Sequence, residues 1–345
     1  MLSRGDSDPD ALLALMGAVL PQRALLAQLS WIPPRANKPG ADGSGAWQWE
    51  VPGRKLAQIG AFAAAVDATA APFLEWCSGK GHLGRALSSR WGVPVASLEI
   101  DSTLCAEGER LARRLAIPQT FVTADAFSPE ALLQGTGRHA VALHACGDLH
   151  RRLAMGAAAT GLVALDIAPC CYHRQRETHY TPLAGPSPLQ LNLDDLRLAV
   201  TGTATAGARE TRRVEQETAW KLAFVALRES LTGAPYRPFR PVERGASDQG
   251  FAAWCVRLAE REALVLPSGV DWSAWEAIGW QRQREVARLS LVRFAFRRAI
   301  EVWLAYDLAA VLEAQGYMVR VETFCDARVT PRNLLVSARR TGAGG

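Results

Sequence analysis

From about residue 73 the chain alternates short apolar runs with longer stretches of helical patterning. The runs PFLEWC, VPVASLEID, QTFVTAD, HAVALHACG and GLVALDIAP have strand length, and longer helical segments separate them. Runs that are apolar at nearly every position belong to strands covered by helices on both faces, so the pattern predicts a parallel, doubly wound α/β sheet. After Cys171 the pattern changes to polar loops and arginine-bearing helices with many Pro and Gly interruptions until about Ala310, which predicts a mainly helical insertion. Strand patterning returns in GYMVRVETFC and, after a turn containing Thr330 and Pro331, in NLLVSARR. Ahead of the sheet, residues 1–70 read as an N-terminal helical cap interrupted by the breaker-rich stretch Pro33 to Gly45. The expected layout is a cap over 1–70, a core over 71–173 and 310–340, and an insertion over 174–309.

Bulk properties narrow the class without naming it. A chain of 345 residues, 49% apolar and 21% charged, can bury a substantial core and resembles an ordinary globular enzyme. The net charge of +5 is carried almost wholly by arginine, since lysine occurs only at Lys38, Lys55, Lys80 and Lys221. The apolar stretch Ala11 to Leu20 is too short to span a bilayer and follows an acidic segment, so neither a membrane anchor nor a secretion signal is expected. Seven scattered cysteines do not form a disulfide framework and fit a reducing compartment, which places the expected location in the cytoplasm.

The most informative segment runs from Glu75 to Gly84, EWCSGKGHLG, at the junction of the first strand and a helical stretch. Gly79 and Gly81 permit positive φ and a close ligand approach, while the helix start offers unpaired amides. Glu75, at the strand end, is suited to a positively charged ligand group. The second strand ends in Leu98-Glu99-Ile100-Asp101, about twenty residues on, where doubly wound folds place an acid on ribose hydroxyls. Glu99 takes that role, and Asp101 is expected to cap the following helix. Asp125 at the third strand end is placed to accept from an adenine amino group, with Phe127 beside the base. Three acids at successive strand ends exceed what packing alone requires. The closing strand-turn-strand, Tyr317 to Arg339, fits the antiparallel seventh strand of methyltransferases better than an ordinary dinucleotide fold.

Four motifs carry a family resemblance: the acid-x-x-Ser-Gly-Lys-Gly turn (Glu75 to Gly81), His-x-Cys-Gly-Asp (His144 to Asp148), Pro-Cys-Cys-Tyr-His (Pro169 to His173) and Pro-Arg-Asn (Pro331 to Asn333). The chain resembles the methyltransferase family that contains the eukaryotic tRNA acceptor-stem 2′-O-methyltransferases and related methyltransferase-like proteins. The resemblance implies a Rossmann-like class I methyltransferase fold, S-adenosylmethionine as methyl donor, and RNA, tRNA foremost, as acceptor. The expected cofactor set is Glu75, Cys77, Gly79, Lys80, Gly81, Glu99, Asp125 and Ala126. Cys77 departs from the family pattern, standing where such turns usually place their first glycine.

Ligands of doubly wound sheets meet the carboxyl ends of the strands, so the fourth and fifth strand ends are the expected acceptor rim. His144, Asp148 and His173 are the candidates for catalysis there, since a hydroxyl or amine acceptor must lose a proton. Each also has a bland alternative, because strand-end histidines and aspartates commonly satisfy loop amides. No metal is expected: adjacent Cys170 and Cys171 lack Cys-x-x-Cys spacing, and buried cysteines often behave as small hydrophobes. Between Trp280 and Arg298 six arginines face one glutamate and are interleaved with Phe294 and Phe296, a composition suited to phosphates and stacked bases. Leu289, Phe296, Ile300 and Trp303 are expected to face inward. Methylation of a protein side chain or small molecule, and a non-catalytic cofactor-binding adaptor, are the competing readings.

Overall fold

The computed structural model describes residues 20–36, 45–67, 69–201, 208–237, 242 and 249–341. The expectations for the acidic N-terminus, for Ala11 to Val19 and for the tip of the Pro33 to Gly45 stretch fall outside these residues.

Seven strands form one sheet: β1 (Phe73–Trp76), β2 (Val95–Glu99), β3 (Gln119–Thr123), β4 (His139–Cys146), β5 (Ala164–Cys170), β6 (Tyr317–Thr323) and β7 (Leu334–Arg340). Their order is β3-β2-β1-β4-β5-β7-β6. The first five run parallel, and β7 is antiparallel to both β5 and β6. This is the doubly wound, Rossmann-like sheet of class I methyltransferases, with the reversal of direction confined to the final hairpin.

Alternation along the strands sends side chains into two apolar layers. Leu74 and Trp76 join Leu165, Ile167, Leu334 and Val336 in one, while Phe73 joins Leu335, Phe324 and Val95 in the other. Helices α1 (Arg23–Ser30) and α2 (Gly53–Ala65) precede the sheet, and Phe62, Ala65 and Val66 pack into the second layer. The crossover helices are α3 (His82–Trp91), α4 (Ser102–Arg114), α5 (Pro129–Leu133) and α6 (Asp148–Met155). Asp101 caps α4, accepting from the amides of Thr103 at 2.8 Å and Leu104 at 3.3 Å.

A buried polar network crosses the sheet between the apolar layers. Asp166 on β5 is fully enclosed, accepting from Ser337 Oγ at 2.5 Å and Arg339 at 2.8 Å, with His139 Nε2 at 2.7 Å. Arg35 extends it by donating to Ser337 Oγ, Glu322 and Asp67. Burial lowers the pKa of His139, and the surrounding donors hold Asp166 below its ordinary value despite burial.

Between β5 and β6 lie α7 (Leu193–Val200), α8 (Ala208–Thr232), α9 (Phe251–Arg261) and α10 (Trp272–Ala314). The chain divides into two compact units, residues 1–205 with 295–345, and residues 206–294. The second unit has its own aromatic core, where Trp220 and Phe224 of α8 meet Phe251 and Trp254 of α9 and Trp272 and Trp275 of α10. Of the four positions that the sequence pattern turns inward on the last helix, Ile300 and Trp303 pack beside Tyr172, Tyr180 and Leu196. Leu289 and Phe296 do not: they are 70% and 38% exposed. In the segment 286–296, exposed apolar residues share the helix surface with arginines, so periodicity does not identify one buried face.

Candidate active site

The β1–α3 turn is a run of left-handed backbone. Cys77, Gly79 and Gly81 have φ of 56°, 56° and 66°. The two glycines serve different ends. A Cβ on Gly81 would lie 2.3 Å from Gln119 Nε2 and 2.5 Å from Phe121 Cζ, so this glycine lets α3 seat against β3. A Cβ on Gly79 would meet nothing within 4 Å, which leaves its backbone open to a ligand. Glu99 holds the turn from β2, accepting from the Gly79 amide at 2.8 Å and from Ile100 and Asp101 at 2.9 and 3.2 Å.

Glu75 sits beneath the turn rather than on its open side. It is 3% exposed, accepts from Ser97 Oγ at 2.6 Å, and is reached by the amides of Leu83 and Gly84. Burial pushes its pKa up to about 7 against those stabilising bonds. Its position makes it an internal support of α3's start. Beside it Arg85 is fully buried, donating to the Lys80 carbonyl at 2.8 Å and to His82 Nδ1. Lys80 itself pairs with Glu107 on α4.

Cys77 reports how the strand ends converge. Burial, with the Glu99 carboxylate, the Cys146 thiol and the Asp125 carboxylate around it, pushes its thiol up to about 12. One side chain just past β1 thus senses groups at the ends of β2, β3 and β4. Asp125 is exposed and accepts from the Phe127 amide at 2.9 Å, and Ala126 is buried behind it. The Phe127 ring carries the Arg176 guanidinium at 4.9 Å. Ile100 is 65% exposed immediately after Glu99, an open apolar surface at the β2 end. Sequence pattern alone read it as a strand residue, although its place just beyond the second-strand acid was the available signal.

The β4 and β5 ends form the opposite side of the rim. A register shift between Leu143 and Cys146 interrupts β4, and within it His144 adopts φ of 71°. His144 lies at the exposed rim with Nε2 3.0 Å from Gln58 Oε1. Desolvation comes first in lowering its pKa, followed by the cations Arg332 and Lys55. Pairing resumes at Cys146, which stands opposite Cys170.

Asp148 opens α6 and fixes the loop after β5: its Oδ2 accepts from the Arg176 amide at 2.9 Å, while its own amide donates to the Arg174 carbonyl at 3.1 Å. Gly147 allows this approach, since a Cβ there would lie 1.9 Å from that carbonyl oxygen. His173 is partly buried, and its Nδ1 is enclosed without a hydrogen-bond partner among the described residues. Tyr172, 3% exposed, likewise has a hydroxyl without a partner among the described residues, and burial raises its pKa well above the ordinary value. Arg332, within the Pro-Arg-Asn motif, donates to the Val200 carbonyl at 3.1 Å and acts electrostatically on both His144 and Cys171. That cation was not picked out by sequence reasoning, although the motif containing it was.

Three thiols cluster at these two strand ends. The sulfurs of Cys146, Cys170 and Cys171 all lie within 4.8 Å of one another, with Cys146 and Cys170 3.5 Å apart. Cys171 has φ of 43°. Hydrogen bonding from the two neighbouring thiols lowers the pKa of Cys171 and raises that of Cys170.

Residues 54–178 match a family model described as a methyltransferase domain. No curated protein sequence matches the chain. Among solved structures, similarity extends to an O-methyltransferase family protein from Burkholderia thailandensis, at 10% identity over 97% of this chain and 60% of that one, with a TM-score of 0.33. It also extends to the cyclopropane synthase MmaA2 from Mycobacterium tuberculosis, at 12% identity, 83% and 82% coverage and a TM-score of 0.29. A TehB-like SAM-dependent methyltransferase from Corynebacterium glutamicum matches at 14% identity and a TM-score of 0.26, over 32% of this chain and 60% of its own length. The family model and the sheet order together give the domain: the chain carries an S-adenosylmethionine-dependent methyltransferase domain, and S-adenosylmethionine is its methyl donor.

Among the described residues no helix is long and apolar enough to cross a membrane.

Proposed function

We propose that this chain methylates RNA, with tRNA the first acceptor to test, at the rim formed by the β4 and β5 ends. The observation that carries the RNA reading is one exposed face of α10, where Val286, Leu289, Arg293 and Phe296 follow helical spacing. Val286, Leu289 and Phe296 are 43%, 70% and 38% exposed. An aromatic ring and a cation among open apolar side chains suit stacked bases and phosphates. Arg284 and Arg288 are exposed on adjacent faces, and neither they nor Arg293 bond to another described residue. The remaining arginines of the group serve the fold: Arg282 reaches Glu229, Arg297 the Thr201 carbonyl, and Arg298 both Glu301 and Asn333. Helical residues 206–294, within the 174–309 insertion, are proposed as the substrate-recognition part.

The turn and rim fit the donor. Gly79 has the open backbone, Glu99 and Asp125 keep lone pairs for ribose and adenine, and Ile100 offers apolar surface to a purine face, with Ala126 packed in the core behind Asp125. Cys77, Lys80 and Gly81 complete the turn, and Glu75 supports it from below. The donor supplies an activated sulfonium methyl, so the protein's work is to align an acceptor and take its proton. His173 is the proposed proton acceptor, because it follows the β5 end at the rim, is partly buried, and its Nδ1 has no hydrogen-bond partner among the described residues. Asp148 holds the loop that carries Arg174 and Arg176 at the rim, and His144 lines it.

Tritium transfer from labelled S-adenosylmethionine to total RNA, to protein and to small molecules tests the assignment. Label in RNA, lost in the triple variant Arg284→Ala, Arg288→Ala, Arg293→Ala with donor affinity intact, is the expected result. Label in protein or small molecules alone overturns the RNA reading. Donor binding with no transfer to any fraction leaves an adaptor and overturns the enzymatic one.

A further inference from the structure

The sequence spacing of Cys146, Cys170 and Cys171 argues against a metal, yet parallel strand register brings what the linear sequence keeps apart. Cys146 ends β4, Cys170 ends β5, and the two are paired across the strands. The irregularity at His144 precedes this pairing, and Cys171 turns its backbone into left-handed space directly after it. The outcome is three sulfurs at the corners of one small triangle. In a tetrahedral zinc site with Zn–S bonds of about 2.3 Å, neighbouring sulfurs stand about 3.8 Å apart. The 3.5 Å between Cys146 and Cys170, and the 4.8 Å limit on all three pairs, are compatible with such a site after small side-chain rotations.

The surroundings also suit a metal–thiolate group. Among the described residues the group that meets metal-ligand geometry contains sulfur only, with no carboxylate, and soft thiolates select zinc over calcium or magnesium. All three cysteines are free thiols. Three thiolates on a divalent ion leave one net negative charge, and the Arg332 guanidinium is placed to act electrostatically on Cys171. Cys170 is 2% exposed, whereas Cys146 and Cys171 are only partly covered, so a way in exists from the rim side.

We propose that Cys146, Cys170 and Cys171 form a three-thiolate zinc site at the β4 and β5 ends, with its fourth coordination position facing the acceptor rim. Zinc enters as Zn²⁺ and leaves with its charge unchanged; each ligating thiol gives its proton to solvent. Such a site would fix the two strand ends relative to each other and present a Lewis-acidic position beside the place where an acceptor is held.

The test uses the full chain, purified under reducing conditions without chelators and then dialysed against Zn²⁺, with bound metal measured by mass spectrometry. Cobalt substitution is followed through its thiolate-to-metal charge-transfer band. One equivalent of zinc and a tetrahedral cobalt spectrum are expected, with affinity falling on the order of 100-fold or more in Cys171→Ser, since one ligand is lost. Cys255→Ser, in the separate 206–294 unit, should bind as wild type. Because a cysteine variant can fail to fold, alkylation of the wild-type thiols is also measured by peptide mass spectrometry: zinc should slow labelling of Cys146 and Cys171. Absence of stoichiometric zinc, binding unchanged in a folded triple serine variant, or labelling rates indifferent to zinc each overturns the site. A Cys146–Cys170 disulfide persisting under the same reducing conditions would overturn it as well.

Discussion

Gly79 and Gly81 differ by two residues and share left-handed backbone, yet they should respond to alanine in opposite ways. At either position a methyl group costs about 1–2 kcal/mol because left-handed backbone crowds Cβ against the following carbonyl. At Gly79 nothing else is added, since no atom lies within 4 Å of the new carbon. At Gly81 the new carbon meets Gln119 Nε2 at 2.3 Å and Phe121 at 2.5 Å. Both neighbours belong to β3 and are held in the sheet, so overpacking should add about 1–3 kcal/mol. Gly81→Ala is therefore expected to lose about 2–5 kcal/mol of folding stability, against about 1–2 for Gly79→Ala. Donor affinity should show the reverse emphasis. Gly79→Ala fills the open side of the turn, where a loss of tenfold or more corresponds to about 1.4 kcal/mol. Urea unfolding without donor, followed by calorimetric titration of S-adenosylmethionine into the folded variants, separates the two effects. Equal unfolding midpoints would show that β3 yields to the Gly81 methyl and that the packing role is wrong. Wild-type donor affinity in Gly79→Ala would remove this turn from the donor site.

Glu99→Ala should weaken donor binding by about 1.5–3 kcal/mol, as expected for a lost hydrogen bond to a charged group, and calorimetry on the folded variant reads this directly. His173→Ala should slow single-turnover methyl transfer by about 100- to 10,000-fold while donor affinity stays unchanged; a wild-type rate makes this rim structural. Asp148→Ala should release the Arg176 amide and make the loop after Cys171 more susceptible to proteolysis, with unchanged cleavage counting against the anchor. Acid should destabilise the fold: burial lowers His82 and His150 from the ordinary 6.5 to about 4, so the unfolded chain binds protons first and stability is lost as pH falls from 6.5 through 4. Each histidine contributes on the order of 3 kcal/mol across that window, while Glu75, raised to about 7, opposes them with about 3 kcal/mol gained as pH falls from 7 to 4.5. A urea midpoint that is flat or rising between pH 7 and 4.5 would refute this balance.

The strand succession, the antiparallel last strand and the Asp101 cap were legible because each follows from local rules of alternation, length and side-chain reach. The three strand-end acids were legible as positions but not as orientations. Alternation assigns Glu75 to a face of the sheet, yet only the seating of α3 against Gln119 and Phe121 determines that this face is closed. The cysteine cluster was hidden for a related reason, since it depends on inter-strand register and on an irregularity at His144 that no spacing rule encodes. Counting arginines on α10 could not separate those spent on Glu229, Thr201 and Glu301 from those left to solvent.

The enclosed Asp166 bears on how the chain finds its own ending. Strand β7 is added last and is apolar on both faces: Leu334 and Val336 enter one layer, and Leu335 enters the other. Greasy contact alone would discriminate poorly against a neighbouring alignment, because a slip by one residue exchanges one apolar side chain for another. Asp166 makes such a slip recognisable. Its direct partner is Ser337, and Arg339 reaches the same carboxylate. Displaced by one residue, the carboxylate would face Val336 or Ala338 in place of the Ser337 hydroxyl and become a dry charge short of a donor, although His139 on β4 stays beside it. The network thus works as a registration key: hydrophobicity brings the last strand home, and one aspartate checks that it has docked in the right slot.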